Sequence, residues 1–517
     1  MVEREQGRGA KAGGAHAGGA PEPASLFRLL ANGLERTLRD ANPWWRGEKI
    51  YGLPPLRRWA FKAVLSRLTH GLTPAVVLRG PRQVGKTTLL EQVIAQLLSE
   101  GIAPRRIFRL QLDDIPEVRR LSMPILDLCA WFADHVLGKS LNQAANDGEQ
   151  AFILLDEVQN LPDWSTQLKH LVDINPVRVL VTGSSALRIE AGRDSLAGRI
   201  STIEMGPLLL REVAEFRGLG PIPPLLPDNG LAPLKDKATW LSLRDHGMTH
   251  GEARRAAFKA FSERGAYPVA QAGAGRPWEE IADFLNETVV RRAIVHDLRT
   301  GPRGRKRDEH LLEEVFRLAC RYAGQAPAQA LYLDEIRRAM NANIGWQRIL
   351  TYLKFLDATL LIRLIEPLEL RLKRRRGPSK VVLCDHALRA AWLQEQIPLD
   401  PEALAAAPHL SDLSGRLAES TVGYLLRSII GLDVTHFPAR GPEPEVDYVV
   451  TVGEQRIPVE VKYRRRIDHP DTVGLRAFME KPHYNAPFGL LVTLLDDAGS
   501  DDPRIVSLPL SSLLLLR

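Results

Sequence analysis

Gly80-Pro-Arg-Gln-Val-Gly-Lys-Thr-Thr88 is the stretch that decides the fold. It fits G-x-x-x-x-G-K-[ST], with Gly80, Gly85, Lys86 and Thr87 in the fixed places. An apolar run, Ala75-Val-Val-Leu78, precedes it and reads as a buried strand. Leu89 to Leu98 follows with apolar residues at helical spacing. Strand, glycine loop and helix form the context that a phosphate-binding loop requires. Glycines let backbone N–H groups close around phosphate oxygens, and the helix N-terminus adds partial positive charge there. The residues expected around the phosphates are Gly80, Pro81, Arg82, Gln83, Val84, Gly85, Lys86, Thr87 and Thr88. On this reading Lys86 reaches the β and γ phosphates of ATP, and Thr87 holds Mg²⁺.

About 70 residues later Phe152-Ile-Leu-Leu155 runs into Asp156-Glu157. A strand that stops at a carboxylate places it at the carboxyl edge of a parallel sheet, where ligands bind in open α/β folds. Asp156 is expected to bind Mg²⁺, largely through water, and Glu157 to orient and polarise the attacking water. A third apolar run, Arg178-Val-Leu-Val181, enters Thr182-Gly-Ser-Ser185. In P-loop ATPases with an added strand between the two Walker motifs, a polar residue here senses the γ-phosphate. Thr182 and Ser184 are the candidates, with a plain polar strand end as the alternative.

The totals set the frame. A chain of 517 residues predicts about three domains, and 44% hydrophobic with 25% charged residues is ordinary for a globular protein. Lys plus Arg number 69 against 62 Asp plus Glu, a net charge of +7. This mild basic excess permits nucleic-acid binding without requiring it. Cys129, Cys320 and Cys384 fit no C-x-x-C pattern, which points to reduced thiols and a cytoplasmic protein. The N-terminal residues lack an apolar signal core, and Ile505 to Leu516 is too short and interrupted to span a bilayer, so no membrane partner is expected.

Strand and helix patterns alternate from about Leu72 to Glu215, the signature of an α/β, doubly wound parallel sheet. Residues 1–25 read as a disordered tail, 26–217 as the P-loop core with an N-terminal helical segment, and 218–300 as a proline-rich linker and helical lid beside the nucleotide. In the helical segment, Trp44-Trp45 reads as a pair packing that segment onto the core, or as a stack for a base. Residues 301–400 carry three helical runs and two short strands, the pattern of a winged helix-turn-helix or, alternatively, a helical bundle with a hairpin. The presumed wing bears Arg371, Lys373, Arg374, Arg375 and Arg376, with a second basic cluster at Arg303, Arg305, Lys306 and Arg307. Contacts to DNA phosphate are expected from the wing residues.

Residues 401–517 read as helix, three strands, helix, strand. Asp447 opens one strand, and Glu460-Val461-Lys462 lies on the next, with Glu460 and Lys462 on one face. Two carboxylates and a lysine on adjacent strands suit metal-assisted phosphodiester hydrolysis. Asp447 and Glu460 would hold Mg²⁺, Glu419 would complete the shell, and Lys462 would stabilise or help deprotonate the water. Arg464, Arg465 and Arg466 follow and could meet backbone phosphate. A strand pair with an exposed ion pair is the plainer alternative.

Together these motifs resemble prokaryotic AAA-type (AAA+) P-loop ATPases that carry a winged-helix segment and a C-terminal restriction-endonuclease-like domain of the PD-(D/E)xK type. Further matching segments are Asp194-Ser-Leu-Ala-Gly-Arg199, Gly206-Pro-Leu-Leu-Leu-Arg-Glu212, Gly265-Ala-Tyr-Pro268 and Pro378-Ser-Lys380 through Asp385. The resemblance implies ATP hydrolysis, a homo-oligomer, and Arg199 as an arginine that acts on the γ-phosphate in cis or across a subunit interface. Two departures are the proline-rich stretch between Gly218 and Pro233, and Val446 where the nuclease pattern has proline. Two functions fit: an ATP-dependent motor or switch on DNA, branched DNA included, whose C-terminal nuclease-like domain binds it with or without cutting it, or a regulatory switch whose C-terminal domain is a protein-interaction module without nuclease activity.

Overall fold

The computed structural model describes residues 33–112, 118, 121–161, 163–183, 196–226, 231–297, 308–369 and 377–517. Helix α1 (Ala60–His70) leads into strand β1 (Ala75–Arg79), and the glycine loop then opens α2 (Lys86–Ser99). Strands β2 (Ile107–Gln111) and β3 (Phe152–Asp156), helix α3 (Trp164–Ile174), β4 (Arg178–Gly183) and β5 (Ile200–Glu204) follow. All five strands are parallel, in the order β2-β3-β4-β1-β5. The sheet is covered on both faces, as β1 shows by alternation. Val76 and Leu78 pack with Val64 of α1 and Leu89 of α2, while Ala75 and Val77 pack with Leu168 of α3 and Phe132. The expected added strand is β4, which separates the strand feeding the loop from the strand ending at Asp156.

Strand β5 escaped the sequence pattern because Ile200-Ser-Thr-Ile-Glu is an edge strand with only Ile203 fully buried, so it has no apolar run. The two tryptophans are packing residues. Both indole N–H groups donate to the Ile107 carbonyl, at 3.1 Å from Trp44 and 2.9 Å from Trp45, and Trp45 stacks near Phe132.

Beyond the sheet come α4 (Leu210–Phe216), α5 (Lys237–Thr249) and α6 (Gly251–Arg264). After two shorter helices (Pro268–Ala272 and Trp278–Leu285) come α7 (Glu309–Arg321), α8 (Gln329–Met340) and α9 (Trp346–Ala358), then an antiparallel hairpin of β6 (Ile362–Ile365) and β7 (Lys380–Leu383). The C-terminal part is α10 (Ser411–Ser428), β8 (Asp433–Phe437), β9 (Val446–Val452), β10 (Gln455–Lys462), α11 (Val473–Met479), β11 (Gly489–Thr493) and β12 (Ile505–Pro509). Its sheet runs β12-β11-β10-β9-β8, antiparallel from β8 to β10 and parallel from β10 to β12, with α11 making the crossover.

The expected boundary at residue 400 is not a break in packing. Leu368 N–H donates to His436 O at 2.8 Å and His436 N–H donates to Glu366 O at 3.1 Å, so the hairpin is stitched to β8. Helix α10 lies against both the hairpin and the C-terminal sheet. Helix α5, which no strong amphipathic pattern announced, packs on β12, and α6 packs on α4. Helices α5 and α6 therefore join the first sheet's domain to the C-terminal sheet.

Candidate functional site

The phosphate loop is built where β1 ends. Gly80 is required there because a Cβ would lie 2.1 Å from the Met205 carbonyl oxygen. Gly85, at φ 93°, caps the start of α2 in the left-handed region that glycine enters without steric cost. Lys86 is buried and donates to the carbonyls of Gly80 at 3.1 Å and Pro81 at 2.8 Å. No motif marked Arg58, yet it anchors the loop from behind. Its guanidinium donates to Val84 O, to Gly206 O at 2.9 Å and to Pro207 O at 2.8 Å, and pairs with buried Glu212 at 3.0 Å.

Asp156 is 1% exposed at the end of β3. The Thr182 hydroxyl donates to its Oδ1 and accepts from the Glu157 N–H at 3.2 Å. Asp156 Oδ2 accepts no hydrogen bond among the described residues and lies 3.7 Å from Arg109 Nη2. Arg109, on β2, also pairs with Glu91 of α2 at 2.8 Å. Nothing in its local sequence signalled this role, since it is one polar residue in an apolar strand. Glu157 adopts φ 53°, a conformation that costs a non-glycine residue on the order of 1 kcal/mol and recurs at active sites. Gln159 donates to its carboxylate.

Asp156 Oδ2, a buried carboxylate oxygen with no hydrogen bond among the described residues, fits a hydrated divalent cation. Thr87 and Asp156 are the residues that would hold Mg²⁺. Thr182 meets Asp156 and Glu157 as a strand-end partner, and Ser184 lies outside the described residues.

Arg199 is not near this site within its own chain. It precedes β5, and its carbonyl accepts from the N–H of Ala75, the first residue of β1. The loop begins at the other end of β1, about 16 Å away at the usual rise per strand residue. Its guanidinium pairs with Asp173 of α3, with Nη2 to Oδ2 at 3.0 Å. Within the chain, Arg199 therefore sits at the end of the sheet away from the loop.

The C-terminal sheet brings Glu419, Asp447, Glu460 and Lys462 together, but with an additional cation. Lys380 of β7, 1% exposed, inserts its ammonium between Glu419, to which it donates, and Asp447 Oδ1 at 3.3 Å. Glu445 Oε1 is 3.9 Å away, and the Tyr448 ring centroid 4.9 Å. Asp447 Oδ2 accepts from Val461 N–H at 2.9 Å, and Lys462 Nζ reaches Glu460 Oε1 at 2.6 Å. Glu460 Oε2 is buried without a hydrogen bond among the described residues.

These contacts set the electrostatics. Burial, then the Asp447 charge, pushes Glu460 up to about 8. Burial also raises Glu419. Burial works against the charged form of Asp447 too, but the Lys380 ammonium and the Val461 N–H outweigh it and hold the group below the usual carboxylate range. The expected three-carboxylate metal shell is not assembled. Among the described residues no group of three His, Cys, Asp or Glu side chains converges to hold a metal ion, and Lys380 occupies the space between two of the expected ligands.

The basic residues expected to meet DNA fall in two groups. Arg371, Lys373, Arg374, Arg375 and Arg376 lie outside the described residues, as do Arg303, Arg305, Lys306 and Arg307. Arg464, Arg465 and Arg466 are exposed, and Arg464 pairs with Asp471. Among the described residues no helix is long and apolar enough to cross a membrane.

The profile of the AAA domain family matches residues 72–214. An uncharacterized protein of Mycobacterium tuberculosis is 32% identical over 154 residues, which span 29% of this chain and 29% of that protein's own length. An uncharacterized protein of Methanocaldococcus jannaschii is 31% identical over 137 residues, 26% of this chain and 27% of its own. Among solved structures, the Walker-type ATPase of Pyrococcus abyssi aligns at 14% identity and TM-score 0.35, covering 64% of this chain and 94% of that one. The RuvB Holliday junction branch migration motor of Thermotoga maritima aligns at 14% identity and TM-score 0.26, covering 58% and 86%. The family profile and the loop geometry agree that the chain contains a P-loop ATPase domain of the AAA type.

Proposed function

We propose that this protein is an ATP-hydrolysing motor or switch that acts on DNA as a homo-oligomer, with the C-terminal sheet as a DNA-binding module. The observation that carries the ATPase part is the pairing of loop and carboxylate across β4. Lys86 opens the helix that ends the loop, Asp156 ends β3 and Glu157 follows it, with Thr182 tying the two acids together. Bound Mg²⁺ would neutralise charge on the β and γ phosphates. The chain's own residues do the rest: Lys86 and the loop N–H groups hold the phosphates, and Glu157 positions water in line.

The DNA part is supported by the net charge of +7, the basic stretch at residues 371–376, the exposed Arg464 to Arg466, and the three helices followed by a hairpin. The buried Lys380 between Glu419 and Asp447 favours binding over cutting, because the acidic pair is already neutralised. The same feature suits a regulatory switch with a non-cleaving partner module.

ATP hydrolysis by the full chain, with and without single-stranded, duplex and branched DNA, separates these readings. Stimulation by one DNA form, with binding that weakens steeply as salt rises, supports the DNA motor. Hydrolysis indifferent to every DNA supports the regulatory switch, and hydrolysis that persists in Lys86→Ala removes the assigned site.

A further inference from the structure

The C-terminal acidic site and the phosphate loop are linked by one continuous set of ion pairs and one hairpin. Arg79, the residue before Gly80, donates through Nε to Glu204 Oε1 at 2.9 Å, and the two residues are register neighbours on β1 and β5. The other oxygen of Glu204 accepts from Arg363 Nη2 of β6. Burial acts to raise Glu204, yet the charges of Arg363, Arg79 and then Arg427 of α10 bring it below its ordinary value, so it stays ionised among three cations. Arg363 lies opposite Val382, and Lys380 lies opposite Ile365, on the same four-residue ladder. The hairpin thus carries a buried arginine into one ion cluster on the ATPase side and a buried lysine into another on the C-terminal side.

We propose that Lys380 is a positioning residue, the resident counter-ion of Glu419 and Asp447, and that the β6–β7 hairpin makes its place there depend on the nucleotide state of the phosphate loop. The proposal rests on the reading of that loop as a nucleotide site. The physical reason is that buried ion clusters are specific in geometry and switch between discrete arrangements; they do not deform gradually. Glu204 is shared by Arg79 and Arg363, so a shift of the loop root changes what Glu204 offers to the hairpin. A two-stranded ladder with four residues per strand carries that shift to Lys380. Withdrawal of Lys380 leaves Glu419 and Asp447 adjacent, partly buried and without that cation, which opens the site to another cationic or hydrogen-bonding group.

The test is the rate of Lys380 acylation by an amine-reactive acetyl ester, read by peptide mass spectrometry. It uses the full chain without nucleotide, with ADP, and with a non-hydrolysable ATP analogue. Nucleotide binding is followed in parallel with a fluorescent ATP analogue. The expected result is a rate that differs about tenfold between nucleotide states, the usual size of a coupling between two sites. Arg363→Met abolishes that difference while nucleotide still binds, and Arg363→Lys restores part of it; a merely structural Lys380 would show neither. Equal acylation in all states, with nucleotide bound, overturns the inference and leaves the ATPase reading intact. Absence of nucleotide binding removes both. If Arg363→Met does not fold, the wild-type comparison between nucleotide states decides alone.

Discussion

The Thr182 hydroxyl joins Asp156 and Glu157, donating to the carboxylate of the first and accepting from the backbone N–H of the second. Two strand ends that are separate motifs in the chain are therefore one hydrogen-bonded unit. Thr182 is fully buried, so its hydroxyl has no water to exchange with. Its side chain sets the direction in which Asp156 presents its remaining oxygen, and it steadies the left-handed turn at Glu157.

Thr182→Val keeps the shape and removes the hydroxyl. Asp156 Oδ1 and the Glu157 N–H then lose a buried partner, a cost of about 1–3 kcal/mol. The expected outcome is ATP turnover reduced roughly tenfold or more, with nucleotide affinity changed much less. Steady-state kinetics beside equilibrium binding of a fluorescent ATP analogue measures both.

Lys86→Ala and Glu157→Gln should fail in different ways. Loss of the Lys86 ammonium removes the cation at the β and γ phosphates, so both binding and turnover fall, turnover by about two orders of magnitude. Glu157→Gln retains nucleotide but turns it over slowly, because the water loses its positioning carboxylate. A single-turnover assay on pre-bound ATP distinguishes them; rapid hydrolysis by Glu157→Gln would move that role to another residue.

Arg199→Ala breaks an exposed pair with Asp173 at the far end of the sheet from the loop. Exposed pairs contribute little to stability, so the melting temperature should shift only slightly. Turnover in dilute protein should be retained. If turnover instead drops at high concentration and returns on mixing with Lys86→Ala chains, Arg199 acts on the neighbouring subunit's nucleotide.

His436 predicts an acid-sensitive C-terminal unit. Burial, then the charge of Lys380, lowers it to about 4, with Arg440 acting the same way and Asp447 and a contact with Pro378 O opposing. The unfolded chain takes up this proton near pH 6.5 and the folded chain only near 4. Stability from this group is complete above pH 6.5 and is lost as pH falls toward 4, by up to roughly 3 kcal/mol. Urea denaturation at pH 7 and pH 5 should show a larger loss in the wild type than in His436→Gln. Equal losses would assign the acid sensitivity elsewhere.

Local pattern was enough for the parallel sheet, the loop and its helix, because each rests on contiguous residues. The run before Gly80, the spacing of Gly80, Gly85 and Lys86, and the acids after Leu155 carry their own periodicity and chemistry. The alternation of Glu460 and Lys462 likewise put both on one face of a strand before any partner was known.

What the sequence alone did not decide depends on residues distant in the chain. The edge strand Ile200–Glu204 has no apolar run and is defined only by its pairing with β1. Arg58 and Arg109 have no motif around them, nothing around Lys380 announced its acidic partners, and each acquires its role from partners 18 to 154 residues away. Arg199 fits a family pattern, but a parallel strand has two ends, and only the register of β5 on β1 shows that it sits at the end away from the loop. Sequence by itself determined the glycine loop with its flanking strand and helix; tertiary structure decided which charges meet, because electrostatic pairing acts through space and burial, and neither is a local property of the chain.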